Sequence, residues 1–179
     1  AASKGKLKRE MWEKQLYAMI IDGVTRRGHL QTLITAQALR HVGYTAGELL
    51  ATGFVLAELR AGGFSADGLR AAGLKAFELK EGEFNARELR EGGYTTKECR
   101  SAGFSPMDMR DGGFTALQLK EVGLSALELQ ENGFSAAQLR EGTFPASVLR
   151  PLFSVDQLRY AGFVAKDMKD AGCTLKELA

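Results

Sequence analysis

The apolar positions along the chain repeat with one dominant period. From Ile34 onward an aromatic residue and a leucine alternate every five residues, as in Phe54, Leu59, Phe64 and Leu69, so the full unit is ten residues long. The decamer Gly133-Phe-Ser-Ala-Ala-Gln-Leu-Arg-Glu-Gly142 carries the rule, and fifteen such units fit in the last 146 residues. Between Ile34 and Phe144 the spacing never slips. A fixed period of this kind marks a repeat array rather than one globular core.

The polar positions say what each unit is. Ser, Thr or Asn follows the aromatic residue in 11 of 15 units, and Glu, Asp or Gln comes three residues later in 12 of 15. That pairing is a capping box: the hydroxyl or amide oxygen accepts a backbone N–H at a helix start, and the acid or amide reaches back. The aromatic before the cap and the leucine after it, such as Phe114 and Leu119, form a hydrophobic staple. Ala usually fills the first helical position, and Pro106 takes it once, where its missing N–H costs nothing. Arg or Lys stands in the last turn in 12 of 15 units, suited to the negative helix end, and Gly ends the helix at 11 of 14 junctions.

Each decamer therefore predicts one helix of six to seven residues, with its own start and stop. Such a helix is too short to persist alone and must bury its Phe and Leu against its neighbours. The expected fold is an all-α solenoid of about fifteen single-helix repeats, consecutive helices zigzagging back and forth. A square β-helix of pentapeptide repeats is the rival for a five-residue apolar period. It wants a small residue two before the central apolar one, where this chain has Ala57, Asp67, Phe77, Arg87, Lys97 and Met107. Capping boxes and terminal glycines have no use in that fold.

Before the array the pattern changes. Leu7, Met11, Trp12, Leu16, Met19 and Ile20 fall near helical spacing with Lys and Glu between them, predicting an amphipathic helix over 3–22. The degenerate unit Gly23-Val-Thr-Arg-Arg-Gly-His-Leu30 joins it to the array. Residues 1–33 are thus a basic helix plus a degenerate first repeat, and 34–179 the solenoid. The plain reading of the helix is a cap over the first repeat. The sharper one is a docking helix for a partner protein or an anionic membrane surface, helped by Lys4 to Arg9.

Places where the period falters are candidates for particular contacts. Val55, Lys75, Pro145 and Val164 lose the cap oxygen, while Glu83, Thr143 and Leu152 replace the glycine stop. One residue is missing between Arg150 and Phe153, so a register break is expected near 150–153, with Pro151 and Leu152 at its centre. Phe77 is the one Phe outside the staple column; it is an exposed anchor or, more plainly, fills a gap between repeats. With Trp12, Leu16 and Ile20 of the head, these residues are the candidate partner contacts.

Charge separates the two parts. Residues 1–33 carry seven Lys/Arg against Glu10, Glu13 and Asp22, a balance of +4, whereas the array nets −2, giving the overall +2. The basic column of the array is followed at once by acids such as Glu91, Asp111 and Glu121, which argues against a nucleic-acid track and for ion pairs between neighbouring helices. Cys99 and Cys173 replace the usual Leu and Phe, so both are expected as buried structural thiols. His29 and His41 have no ligand partners at metal spacing, and serines and glutamates are absorbed by caps. No catalytic, cofactor or metal site is expected. The longest apolar run, Tyr17–Ile21, is far short of a membrane span. A chain beginning at Ala1 fits a processed product, as after import into an organelle.

Units such as Gly103-Phe-Ser-Pro-Met-Asp-Met-Arg and Gly133-Phe-Ser-Ala-Ala-Gln-Leu-Arg give the array a resemblance. From Ile34 to Ala179 it is similar to the decapeptide helical repeats in the DotG-type core component of bacterial type IV secretion systems, and to uncharacterised repeat proteins of algae and other protists. The resemblance implies a structural subunit or linker within a large assembly and supplies no site residues. The expected function is a non-catalytic scaffold bridging other protein subunits. The alternative is an adaptor for nucleic acid or an anionic membrane, acting through the basic head.

Overall fold

In the computed structural model the described residues are 35–178. They form fifteen α-helices and no strand. In chain order these are α1 (Ala36–Val42), α2 (Ala46–Ala51), α3 (Leu56–Ala61), α4 (Ala66–Ala71), α5 (Ala76–Glu81), α6 (Ala86–Glu91), α7 (Thr96–Ser101) and α8 (Pro106–Asp111). There follow α9 (Ala116–Glu121), α10 (Ala126–Glu131), α11 (Ala136–Glu141), α12 (Ala146–Leu149), α13 (Val155–Tyr160), α14 (Ala165–Asp170) and α15 (Leu175–Leu178). The expected all-α array of one helix per decamer is what forms. The predicted amphipathic helix over 3–22 lies outside the described residues.

Local chemistry fixes each helix as the sequence indicates. At α10 the Ser125 hydroxyl accepts from Glu128 N at 3.2 Å and donates to the Glu128 carboxylate at 2.7 Å, while Ser125 N donates to the same carboxylate at 2.8 Å. Comparable boxes start α2, α6, α7, α8, α9, α11 and α13. Where the cap oxygen is missing the acid still works: Val55 N donates to Glu58 at 2.9 Å and Lys75 N to Glu78 at 2.7 Å. Half a box is enough to place the start.

The C-terminal stop is a Schellman motif, and it gives the aromatic column a second job. At α9, Gly123 N bonds Lys120 O at 2.9 Å and Leu124 N bonds Leu119 O at 3.1 Å. The residue after the glycine closes over the leucine of the helix just ended, then staples the helix that follows. One side chain thus locks two helices. All eleven glycines at this stop have positive φ. Glu83 (φ 64) and Thr143 (φ 61) take the same left-handed turn without being glycine.

The chain divides into two compact units, Ala1–Glu83 and Phe84–Ala179. The division falls at Glu83, one of the junctions that lacks the glycine stop. Within each unit the chief packing partner of a helix is the next but one in sequence. In the first unit α1 packs on α3 and α2 on α4. In the second, α6 packs on α8, α9 on α11, α11 on α13 and α12 on α14. This is the zigzag, with odd and even helices in separate stacks.

The leucine column is fully buried from Leu39 to Leu158, with Cys99 and Met109 taking its place without exposure. Burying each such side chain contributes about 1.5–3 kcal/mol. The aromatic column is also buried at most positions, from Tyr44 and Phe64 to Phe144 and Phe163. The alanine at the first helical position is a third core column: Ala36, Ala46, Ala86, Ala116 and Ala136 are all buried. Its partner is the residue just after the helix two repeats on. A Cβ added to Gly112 would come within 2.8 Å of Arg87 N and 2.9 Å of Ala86 Cβ, and one on Gly142 within 2.8 Å of Ala116 Cβ. In Gly112-Gly113, therefore, the first glycine permits close approach between alternate helices and the second takes the left-handed turn (φ 85).

Candidate interaction surface

The basic column has a specific destination. Arg60 donates to Gly82 O at 3.1 Å, Arg90 to Gly112 O at 2.8 Å, Arg110 to Asn132 O at 2.5 Å, and Arg100 to Val122 O. In each pair the acceptor lies 22 residues on, at the C-terminus of the alternate helix. Lys120 reaches Thr143 O and Oγ1, both at 2.9 Å. The column was expected to serve its own helix end or to form ion pairs between neighbours. Its observed partner is instead the unsatisfied carbonyl end of the helix two repeats away, where a cation meets both an orphan acceptor and the negative dipole end. Only the alternate-helix packing brings that carbonyl within reach.

The glycine stop makes room for this ladder. A Cβ on Gly113 would meet Arg90 Nη2 at 3.1 Å, and one on Gly133 would collide with Arg110. The cations also lie over aromatic rings in places: Lys120 Nζ is 4.6 Å from the Phe144 centroid and Arg140 Cζ is 5.6 Å from that of Phe163.

Capping and the ladder leave the second helical position without a fixed structural task. It carries Gly47, Ala57, Asp67, Phe77, Arg87, Lys97, Met107, Leu117, Leu127 and Ala137. Phe77 is 49% exposed, so it stands on the surface and does not fill a gap between repeats. Met107 (47%), Leu117 (39%) and Leu127 (50%) are exposed in the same way on α8, α9 and α10. The sequence pattern marks this position only as variable and does not single out these three. The signal available was their position, one residue after the helix start, where no other unit places a buried side chain.

These outward side chains have acidic neighbours. Each shares a helix face with the residue four on, pairing Met107 with Asp111, Leu117 with Glu121 and Leu127 with Glu131. From the second position Arg87 Nη2 reaches Asp111 O, at the end of the helix two repeats on, at 3.1 Å.

The register break has its own geometry. Pro151 is exposed and Leu152 half-buried. With one residue fewer, Phe153 N bonds Leu149 O at 3.0 Å, an i to i−4 closure in place of the Schellman bond, and α12 stops after four residues. Trp12, Leu16 and Ile20, like Lys4 to Arg9, lie outside the described residues.

Electrostatics add no reactive centre. Burial, with the Glu98 charge, pushes the Cys99 thiol up to about 11, so it stays protonated at neutral pH. Cys173 is buried as well, and both thiols are free, as their places in the apolar columns imply. Glu128 titrates below its ordinary range because Ser125 N–H and the Ser125 hydroxyl bond its charged form; Glu177 does so through Thr174, then Arg150. Asp67 is lowered through the Ser65 hydroxyl. Among the described residues no group of three His, Cys, Asp or Glu could hold a metal, and no helix is long and apolar enough to cross a membrane.

These features define a tandem array of single-helix decamers locked by caps, by Schellman turns and by a ladder between alternate helices. The chain belongs to the decapeptide repeat region family, which matches residues 34–106, 83–152 and 113–179 and so spans the array from Ile34 to its last residue. Neither curated proteins nor solved structures give a match.

Proposed function

We propose that this decapeptide-repeat protein is a non-catalytic scaffold that bridges or braces other proteins in a multi-subunit assembly. The observation that carries this reading is how the decamer's polar groups are used. Caps consume the hydroxyls and the third-position acids, and the ladder engages the cations, while the second helical position varies and faces outward. An array built that way presents a changing surface on a constant frame, the usual basis of partner selection in repeat proteins. Exposed Phe77, Met107, Leu117 and Leu127 are the apolar part of that surface.

The test is recovery of the intact protein from its native source at moderate salt, followed by quantification of what accompanies it. Stoichiometric protein partners in one large complex support the scaffold. Salt-sensitive binding to nucleic acid or anionic vesicles without a protein partner would replace it with an adaptor working through the basic head.

A further inference from the structure

We infer that the exposed edge of the second unit receives the basic N-terminal segment, residues 3–22, of another copy of this chain, so that the protein associates head to tail. This rests on the scaffold reading and names one partner of it. The receiving edge follows one stack, α8, α10 and α12. Met107 and Leu127 are about half exposed there, and Val148 is 45% exposed at the shortened helix. Asp111 and Glu131, each four residues after an exposed apolar side chain, set carboxylates beside them.

The two acids of this edge differ in their pairing. Arg110 donates to the Asn132 carbonyl and pairs with the Asp111 carboxylate, whereas the helix of Glu131 has no Lys or Arg, Gln130 standing where most repeats have one. At this edge the second helical position changes from Arg87 on α6, which donates to Asp111 O, to the exposed Met107 on α8. A cation that caps a helix end gives way to an exposed apolar residue. The complementary ligand is a segment with alternating cations and large apolar residues.

The chain carries one such segment. Lys4, Lys6, Lys8, Arg9 and Lys14 alternate there with Leu7, Met11, Trp12 and Leu16, and the first 33 residues hold a +4 balance against the −2 of the array. Trp is the residue type most often dominant in such contacts, and Trp12 is the chain's single tryptophan. A donor at one end and an acceptor at another make a heterologous contact, which closes into a ring or continues as a filament rather than stopping at a symmetric dimer.

The experiment is sedimentation velocity of the full-length protein over a wide concentration range at low and high salt, with Trp12 emission read in parallel. The expected result is concentration-dependent growth beyond a dimer, weakened by salt, with Trp12 emission moving to the blue as association proceeds. A Met107→Lys/Leu127→Lys double variant should weaken association at least about tenfold with the helical circular-dichroism signal unchanged, because both side chains are exposed. A Trp12→Ala variant should lose it equally. A protein that stays monomeric throughout overturns the inference, as does association indifferent to both variants. Blue-shifted Trp12 emission independent of concentration also overturns it, since the segment would then fold back on its own chain. Copurification of other proteins with a monomeric chain would leave the scaffold reading standing and remove this inference alone.

Discussion

The regular run from α8 to α11 and the break around α12 are built from the same decamer, and they differ by one residue. In the regular run Arg110 meets a carbonyl 22 residues away at 2.5 Å, and each helix ends in a left-handed turn with a Schellman bond. Across the break Arg140 must use Ala161 O, 21 residues away, at 3.4 Å. Arg150 turns to the Glu177 carboxylate at 2.5 Å, and its Nε is buried without a hydrogen-bond partner. The leucine column is untouched, since Leu149 and Leu158 are as buried as Leu139. The lesson is that the two locks tolerate error differently. Apolar packing is non-directional and survives a lost residue, whereas a ladder of hydrogen bonds depends on register.

The largest expected effect tests the part the two regions share. Leu139→Ala should destabilise the protein by about 3 kcal/mol in urea titration, the cost of a cavity at a fully buried site. Leu152→Ala, half-buried at the break, should cost less than about 1 kcal/mol. Equal losses would mean the break is packed as tightly as the regular run.

The ladder comes next. Arg110→Met should cost about 1.5–3 kcal/mol, because it leaves a helix-end carbonyl without its charged donor while keeping the apolar stem. Arg150→Met should cost under about 1 kcal/mol, since an ion pair with a half-exposed acid contributes little and the substitution also removes the orphaned Nε. Reversal of that order would show that the ladder is incidental. Restoring the missing residue, by inserting a glycine between Leu152 and Phe153, should raise stability by about 1 kcal/mol through a regained Schellman turn and a 22-residue reach for Arg140. An unchanged or lower melting temperature would count against register as the cause.

Thr143→Gly, just before the break, sharpens the comparison on a smaller scale. It relieves a left-handed turn (φ 61) but gives up the Lys120 bond to Thr143 Oγ1. The net gain should be about 0.5 kcal/mol by thermal melting. A clear loss would assign the hydroxyl more weight than the turn.

The smallest effect is a pH dependence. Glu128 is lowered in the folded chain, so the stability it contributes is present above the ordinary glutamate pKa of about 4.3 and is lost as pH falls through the folded value. Glu128→Gln keeps the amide acceptor that Gln118 and Gln138 supply at α9 and α11. The variant should therefore melt slightly below the parent at neutral pH and converge with it under acid conditions. Parallel melting curves from neutral to acid pH would mean that the charged form of this capping acid adds nothing.

Much of this was legible in the sequence. Helix starts, stops and the two apolar columns follow from neighbours within one decamer, because capping, stapling and the left-handed turn are contacts a few residues long. The missing residue near Pro151 likewise announced the break. Other features were hidden. Met107, Leu117 and Leu127 stand exposed at the second helical position, and Phe77 proved exposed rather than gap-filling. The basic column suggested its own helix end, when its partners are 21 to 23 residues away.

The sequence by itself determined a helix per decamer and which side chains must be buried, since those depend on local hydrogen bonds and on hydrophobicity. Only the tertiary structure decided which helix packs on which. The choice of the next-but-one neighbour sets a column of Arg and Lys against carbonyls two repeats on and makes the first-position alanine part of the core. It also leaves one variable column facing outward. A strict ten-residue period is equally compatible with pairing to the nearest or the alternate helix. Distances in space, which periodicity does not encode, separate the two.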